Sequence, residues 1–174
     1  VGAMRELEET AGGRLRVIEA DALRTDIATL TPAPRQIVAN LPYNIASPLL
    51  VGWLRQAASF ERLTLMFQQE VAERIAAPPN DPAYGRLSVL ARWICDVAVV
   101  MRIPPSAFVP PPKVWSAVVV LTPRAEQPPP ALFRVMEKLT AAAFGQRRKM
   151  LRGSLKPLGG EALLGRVGID PERR

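Results

Sequence analysis

The 174-residue sequence has no histidine and a single cysteine, Cys95. The missing histidine excludes His-dependent catalytic triads and His-ligated zinc, and one cysteine cannot form an internal disulfide or a thiolate metal cluster. No metal site is therefore expected. A lone cysteine inside the apolar stretch WICDVAVV suits a reducing compartment, and a cytoplasmic location is expected. Long hydrophobic runs are also missing. Arg92, Asp96 and Arg102 interrupt the most apolar stretches, so no segment is expected to span a bilayer. The opening VGAMRELEETAGG reads as an amphipathic helix closed by glycine, and not as a signal peptide.

Hydrophobic residues make up 48% of the chain, enough to bury a real core. The net charge is +7, and of 23 basic side chains only Lys113, Lys138, Lys149 and Lys156 are lysines. Arginine binds phosphate through a bidentate fork, so the arginine excess suits a polyanionic partner. A solvated basic surface is the other reading of the same charge.

Along the chain, β-rich runs at 14–21 (RLRVIEAD), 35–40 (RQIVAN) and 62–68 (RLTLMFQ) alternate with helical patterns, the rhythm of a parallel sheet. Ser47 and Pro48 read as an N-cap and first helical residue, with Leu49, Leu50, Trp53, Leu54 and Ala57 along one face. A helix over QEVAERIAA is stopped by PPNDP. A further helix at 85–94 precedes strands at 96–103 and 113–123. The ten or so residues between these strands are too few for a helical crossover, so the two are expected to pair antiparallel. The fold class is α/β, a mixed sheet with an antiparallel edge strand. The proline-rich break at 122–130 is the expected boundary between domains at 1–124 and 125–174, the second entirely helical.

The stretch ANLPYNIASP places Asn40 at the end of a strand, where open α/β sheets bind ligands. The Asn40 side chain and the following carbonyl of Leu41 offer acceptors, Pro42 contributes no N–H, and Tyr43 can stack on a planar ring. Together they could seat the exocyclic amine of a nucleobase. Accepting both amine hydrogens into fixed carbonyls favours a pyramidal nitrogen with a free lone pair, so attack needs no prior general base. The same four residues would also serve as an ordinary turn around a buried tyrosine.

NLPYNIASPLL, LMFQQEVAERI, YGRLSVLARW, PPSAFVPPPKVWSAVV, AFGQRRKMLR and GIDPERR occur in this order through essentially the whole chain. Together they resemble the small-subunit ribosomal RNA adenine dimethyltransferases of the KsgA type. The resemblance implies a Rossmann-like methyltransferase sheet that uses S-adenosylmethionine. It implies methylation of the 6-amino groups of two adjacent adenines near the 3′ end of 16S ribosomal RNA, in the small subunit or its precursor, by a monomer. Asn40, Leu41, Pro42 and Tyr43 match the family's catalytic loop. Phe108 matches the aromatic that closes on the target base, a role it would share with Tyr43, and its alternative is a core phenylalanine. Asp21 and Ala22 match the pair that recognises the cofactor's adenine, beside Asn40; Asp21 would otherwise be a turn cap.

In the tail, Arg148, Arg152 and Lys156 recur every four residues, with Arg147 and Lys149 adjacent. Like charges at that spacing weaken a helix unless a phosphate backbone lies against them. The resemblance makes this block an RNA contact.

The glycine-rich first βα turn and the strand-end acid that the family uses for its cofactor do not occur in this chain. A fragment beginning after the first βαβ unit and stopping before the family's last helical stretch is therefore expected, unable to methylate on its own. Gly145 also stands where the family often has asparagine. Two other functions fit the residues less well: a non-catalytic RNA-binding assembly factor, and a large-subunit RNA adenine methyltransferase conferring antibiotic resistance.

Overall fold

The computed structural model describes residues 2–146 and 148–173. Helix α1 (Gly2–Thr10) buries none of its residues. It ends as its glycines dictate, with Gly12 at φ +57° and Gly13 at φ +78°, conformations that side-chain-bearing residues rarely adopt. Residues 14–21 depart from expectation and form no strand. They are held by local bonds instead: Val17 N–H donates to Glu8 Oε1 at 2.9 Å and the Arg16 guanidinium to the Leu30 carbonyl at 2.7 Å. A β-rich run becomes a strand only when a neighbour completes its ladder, and no described strand does so here.

The sheet has four strands in the order β1-β2-β4-β3: β1 (Gln36–Asn40), β2 (Arg62–Gln68), β4 (Ser116–Pro123) and β3 (Cys95–Ile103). β1 and β2 are parallel, and β4 is antiparallel to both β2 and β3. The expected antiparallel pair is present, with β3 at the edge and β4 inside it. A bulge between Val99 and Met101 leaves Val100 out of the ladder and shifts the inward-facing positions beyond it.

Alternation then sorts the side chains. Ile37, Leu63, Leu65, Phe67, Ala117, Val119 and Leu121 are buried in one core. Helices α2 (Ala46–Leu54), α3 (Gln69–Ala76) and α4 (Arg86–Ile94) add Leu49, Leu50, Trp53, Ile75, Leu90 and Ile94 to it. The intervening residues Thr64, Met66, Val118 and Val120 are only half-buried, and Val38 is 78% exposed. α2 starts at Ala46 and not after Ser47; Ile45 precedes it without a side-chain cap. The cause is the turn before it, in which Ile45 N–H donates to the Pro42 carbonyl and carries the chain directly into the helix.

The proline-rich break is pinned to the end of α4, since Gln127 Nε2 donates to the carbonyl of Ile94 (3.1 Å) as well as to that of Arg124 (2.7 Å). Helix α5 (Pro130–Gly145) then packs Phe133 into the main core, stacked on Trp93 with ring centroids 6.2 Å apart. The last elements, α6 (Leu151–Ser154) and α7 (Gly160–Arg166), bury Leu155 and Leu164. Gly160 is required at their junction. Its φ is +49°, and a Cβ there would lie 3.1 Å from the Arg152 carbonyl.

Cys95, fully buried at the start of β3, has its thiol pushed up to about 12 by burial and then by Asp96, with Arg124 opposing. A folded-state pKa above the ordinary value of 9.0 favours the fold below pH 9 and loses that contribution as pH rises towards 12. Cys95 is therefore expected to resist a disulfide reagent at pH 8 in the native protein and to react fully in denaturant. Rapid labelling of the native protein would contradict this.

Candidate active site

The site follows from strand register. Asn40 ends β1 opposite Met66, Gln68 ends β2 opposite Ser116, and Ser116 in turn faces Ile103 at the end of β3. Asn40, Gln68, Ser116 and Ile103 thus lie at one end of the sheet, so the loop that follows β1 and the single loop that joins β3 to β4 emerge there together.

Asn40 is exposed, and its side-chain amide makes no hydrogen bond among the described residues. Leu41 beside it is 5% exposed and anchors the loop in the core. Pro42 is exposed, and its carbonyl accepts Ile45 N–H at 3.1 Å, which closes the turn. Tyr43 is 46% exposed, so the ring is not a buried turn filler; its hydroxyl lies 3.5 Å from Ser116 Oγ, across the end of β2. Ser116 itself is fully buried.

Phe108 follows the short 3-10 turn Pro105–Ala107 after β3, and its N–H donates to the Pro105 carbonyl. It is half-buried, between a core residue and a free ring. Trp115, 48% exposed, stands at the same sheet end, and its carbonyl accepts Gln69 N–H at 2.9 Å. Sequence reasoning passed over Trp115 and Ser116. Their signal was their place at the start of β4, Trp115 just before the strand and Ser116 its first residue, visible only once β4 is known to lie between β2 and β3.

The profile of the ribosomal RNA adenine dimethylase family matches residues 4–172. The chain belongs to that family. Two curated relatives are both called ribosomal RNA small subunit methyltransferase A. The one from Gluconobacter oxydans is 67% identical over 161 residues, covering 92% of this chain and 53% of that protein. The one from Rhodospirillum rubrum is 53% identical over 174 residues, covering 99% and 60%. Among solved structures, a dimethyladenosine transferase from Plasmodium falciparum is 32% identical with a TM-score of 0.74, covering 93% of this chain and 57% of that one. The 23S rRNA methyltransferase ErmE is 26% identical with a TM-score of 0.65, covering 99% and 71%. The chain thus spans between half and two thirds of the length of these curated relatives.

In this dimethylase-family chain Asp21 and Ala22 lie in an exposed turn and not at a strand end. Asp21 Oδ1 accepts Leu23 N–H at 2.9 Å, and Oδ2 lies 3.5 Å from Arg24 Nε. The carboxylate caps its own turn yet keeps a side chain 54% exposed, so one oxygen has room to accept a further hydrogen from a ligand. Among the described residues no hydrogen bond or ion pair joins it to the Asn40 loop.

The expected cationic stripe is not a helical face. α5 ends at Gly145, followed by Gln146 at φ −137° and ψ 63°, and the next helix begins only at Leu151. Arg148 and Lys149 sit in the intervening turn, Arg152 in α6 and Lys156 in a 3-10 turn, so their four-residue spacing carries no geometric meaning. Glycine's low helix propensity lets the chain break there. All four cations are exposed, and Arg152 lies 3.7 Å from Glu172. Arg147 lies outside the described residues.

Proposed function

We propose that the enzyme carrying this chain transfers methyl groups from S-adenosylmethionine to the 6-amino groups of two adjacent adenines near the 3′ end of 16S ribosomal RNA, during small-subunit maturation. The observation that supports this best is Asn40: a polar amide, exposed at the carboxyl end of a parallel strand, without a hydrogen-bond partner among the described residues and close to a half-exposed tyrosine. The cofactor would supply an electrophilic methyl group. The chain's own part is to hold the acceptor amine.

Asn40 Oδ1 and the Leu41 carbonyl would accept the two amine hydrogens, drawing the nitrogen lone pair out of conjugation with the ring. Once methylated the nitrogen is cationic and acidic, and its proton leaves to solvent without a histidine. Tyr43 stacks on the flipped adenine, with its hydroxyl held towards Ser116, and Phe108 closes from the loop after β3. Two rings help offset the stacking energy given up on flipping, a few kcal/mol. Asp21 and Ala22, with Asn40, would contact the cofactor. Residues 1–124 carry the chemistry in this reading and 125–174 the docking of RNA.

The small-subunit substrate is favoured over the large-subunit one because relatives named for the small subunit reach 67% identity, against 26% for ErmE. A test uses the full-length protein, tritiated S-adenosylmethionine and unmethylated small subunits. Label should appear as dimethyladenine at two adjacent positions. Label in large-subunit RNA, or binding with no transfer, would overturn the assignment.

Replacing Arg147, Arg148 and Lys149 together by alanine should weaken binding to the small subunit. The log–log salt slope should fall in magnitude by roughly 0.7–0.9 for each phosphate that the variant no longer neutralises. Phosphate contacts position a substrate without reading its bases, so turnover at saturating substrate should survive. An unchanged salt slope would remove these residues from the RNA interface.

A further inference from the structure

A second concentration of positive charge lies away from the 146–149 turn. Arg55 follows α2, Arg86 opens α4, and Arg134 and Lys138 stand one turn apart on α5. They line a cleft of about 450 Å³ with Glu137 and Ala141, four cations around one carboxylate. The cations come from the end of α2, the start of α4 and the middle of α5, so the cluster is made by the tertiary fold and is invisible in the spacing of the sequence.

Glu137 organises the cleft. Its side chain is 12% exposed, and its two oxygens accept from Arg55 Nε and a terminal Arg55 nitrogen, each at 2.9 Å, while Arg86 lies 3.8 Å away. The carboxylate thus fixes the Arg55 guanidinium through two hydrogen bonds and lies within ion-pair distance of Arg86. Arg134 and Lys138 are exposed and have no ion-pair partner among the described residues. Four cations against one carboxylate leave a net charge of +3 around one opening, and the unpaired charges of Arg134 and Lys138 favour entry of an anion.

The cleft is continuous with a groove that shares Arg55, Arg86 and Glu137 and extends past Val51 and Gly52 to Pro48 and Ser47. Ser47 is four residues beyond Tyr43, so the cationic track leads towards the sheet end that carries the candidate active site.

We propose that the cleft formed by Arg55, Arg86, Arg134 and Lys138 binds the phosphate backbone of RNA, as a contact additional to the basic turn after α5. This rests on the RNA-methylating reading of the same chain. Guanidinium groups match phosphate oxygens bidentately, and Lys138 adds a mobile point charge. The contact would hold a strand on the α2–α4–α5 side while its target base reaches Tyr43 and Asn40.

The test is fluorescence anisotropy of a fluorescein-labelled RNA hairpin with the 3′-terminal small-subunit sequence, titrated with full-length protein over a potassium chloride series. Arg134→Ala with Lys138→Ala should lower affinity and reduce the magnitude of the salt slope by about 1.4–1.8, the value for two phosphates no longer neutralised. Both side chains are exposed, so the melting temperature should hold. The charge-preserving Arg134→Lys should keep the slope. If the double variant binds with an unchanged slope while Arg148→Ala with Lys149→Ala weakens binding, the cleft is overturned and the methylation reading stands. If the wild-type protein shows no salt-dependent RNA binding, both fall. If the double variant fails to bind small-subunit particles but still binds the hairpin, the cleft meets ribosomal protein and the RNA proposal is wrong.

Discussion

Asn40→Ala in the full-length protein is expected to abolish methyl transfer, a fall in single-turnover rate of at least about 10²–10³-fold. That is the scale seen when one preorganised hydrogen-bonding group is removed from a reacting centre. RNA affinity should stay within a few-fold, because Asn40 positions one amine and does not hold the backbone. Folding should be undisturbed, since the side chain is exposed and unbonded among the described residues. Rapid-quench transfer from labelled cofactor, with RNA binding measured in parallel, separates the two effects. Near-normal transfer by the variant would remove Asn40 from the chemistry, and equal loss of binding and transfer would make it a docking residue.

Phe67→Ala should have the largest effect on stability. Phe67 is 1% exposed on β2, the strand flanked by β1 and β4, and so packs at the centre of the core. Emptying such a site costs about 3–5 kcal/mol, a large part of the roughly 5–15 kcal/mol that holds a typical protein folded. Urea unfolding should show a much lower midpoint with little change in slope. Phe108→Ala provides the contrast: half-buried at the sheet end, it should cost less stability and far more turnover. Should the two phenylalanines show the same pattern, Phe108 is a core residue.

Much of the α/β layering was legible because its causes are local. Alternation at 62–68 and 116–123, the 3.6-residue periodicity of α3 and α4, and the short link between β3 and β4 each leave a mark within a dozen residues. The Asn-Leu-Pro-Tyr loop was legible for a similar reason, because a strand end and the turn after it are neighbours in the chain. The run at 14–21 misled because β-propensity reports a fit to a pleated surface and cannot report whether a partner strand exists. The tail misled in the opposite way. A spacing of four implies one helical face only if the helix continues, and the chain turns after Gly145.

The sequence by itself determined which groups are on hand for chemistry: amides, hydroxyls, aromatic rings and arginines, with no histidine and one cysteine. It also determined the order of the strands and helices from residue 35 to 123 and the family to which the chain belongs. Only the tertiary structure decided that β4 enters between β2 and β3, and so brings Ser116 to Tyr43 from 73 residues away. It alone gathered Arg55, Arg86, Arg134 and Lys138 around Glu137. Local steric preference acts over a few residues and is written into them directly. Sheet order and side-chain clustering depend on how the whole apolar surface is buried at once, a property that no short window of sequence contains.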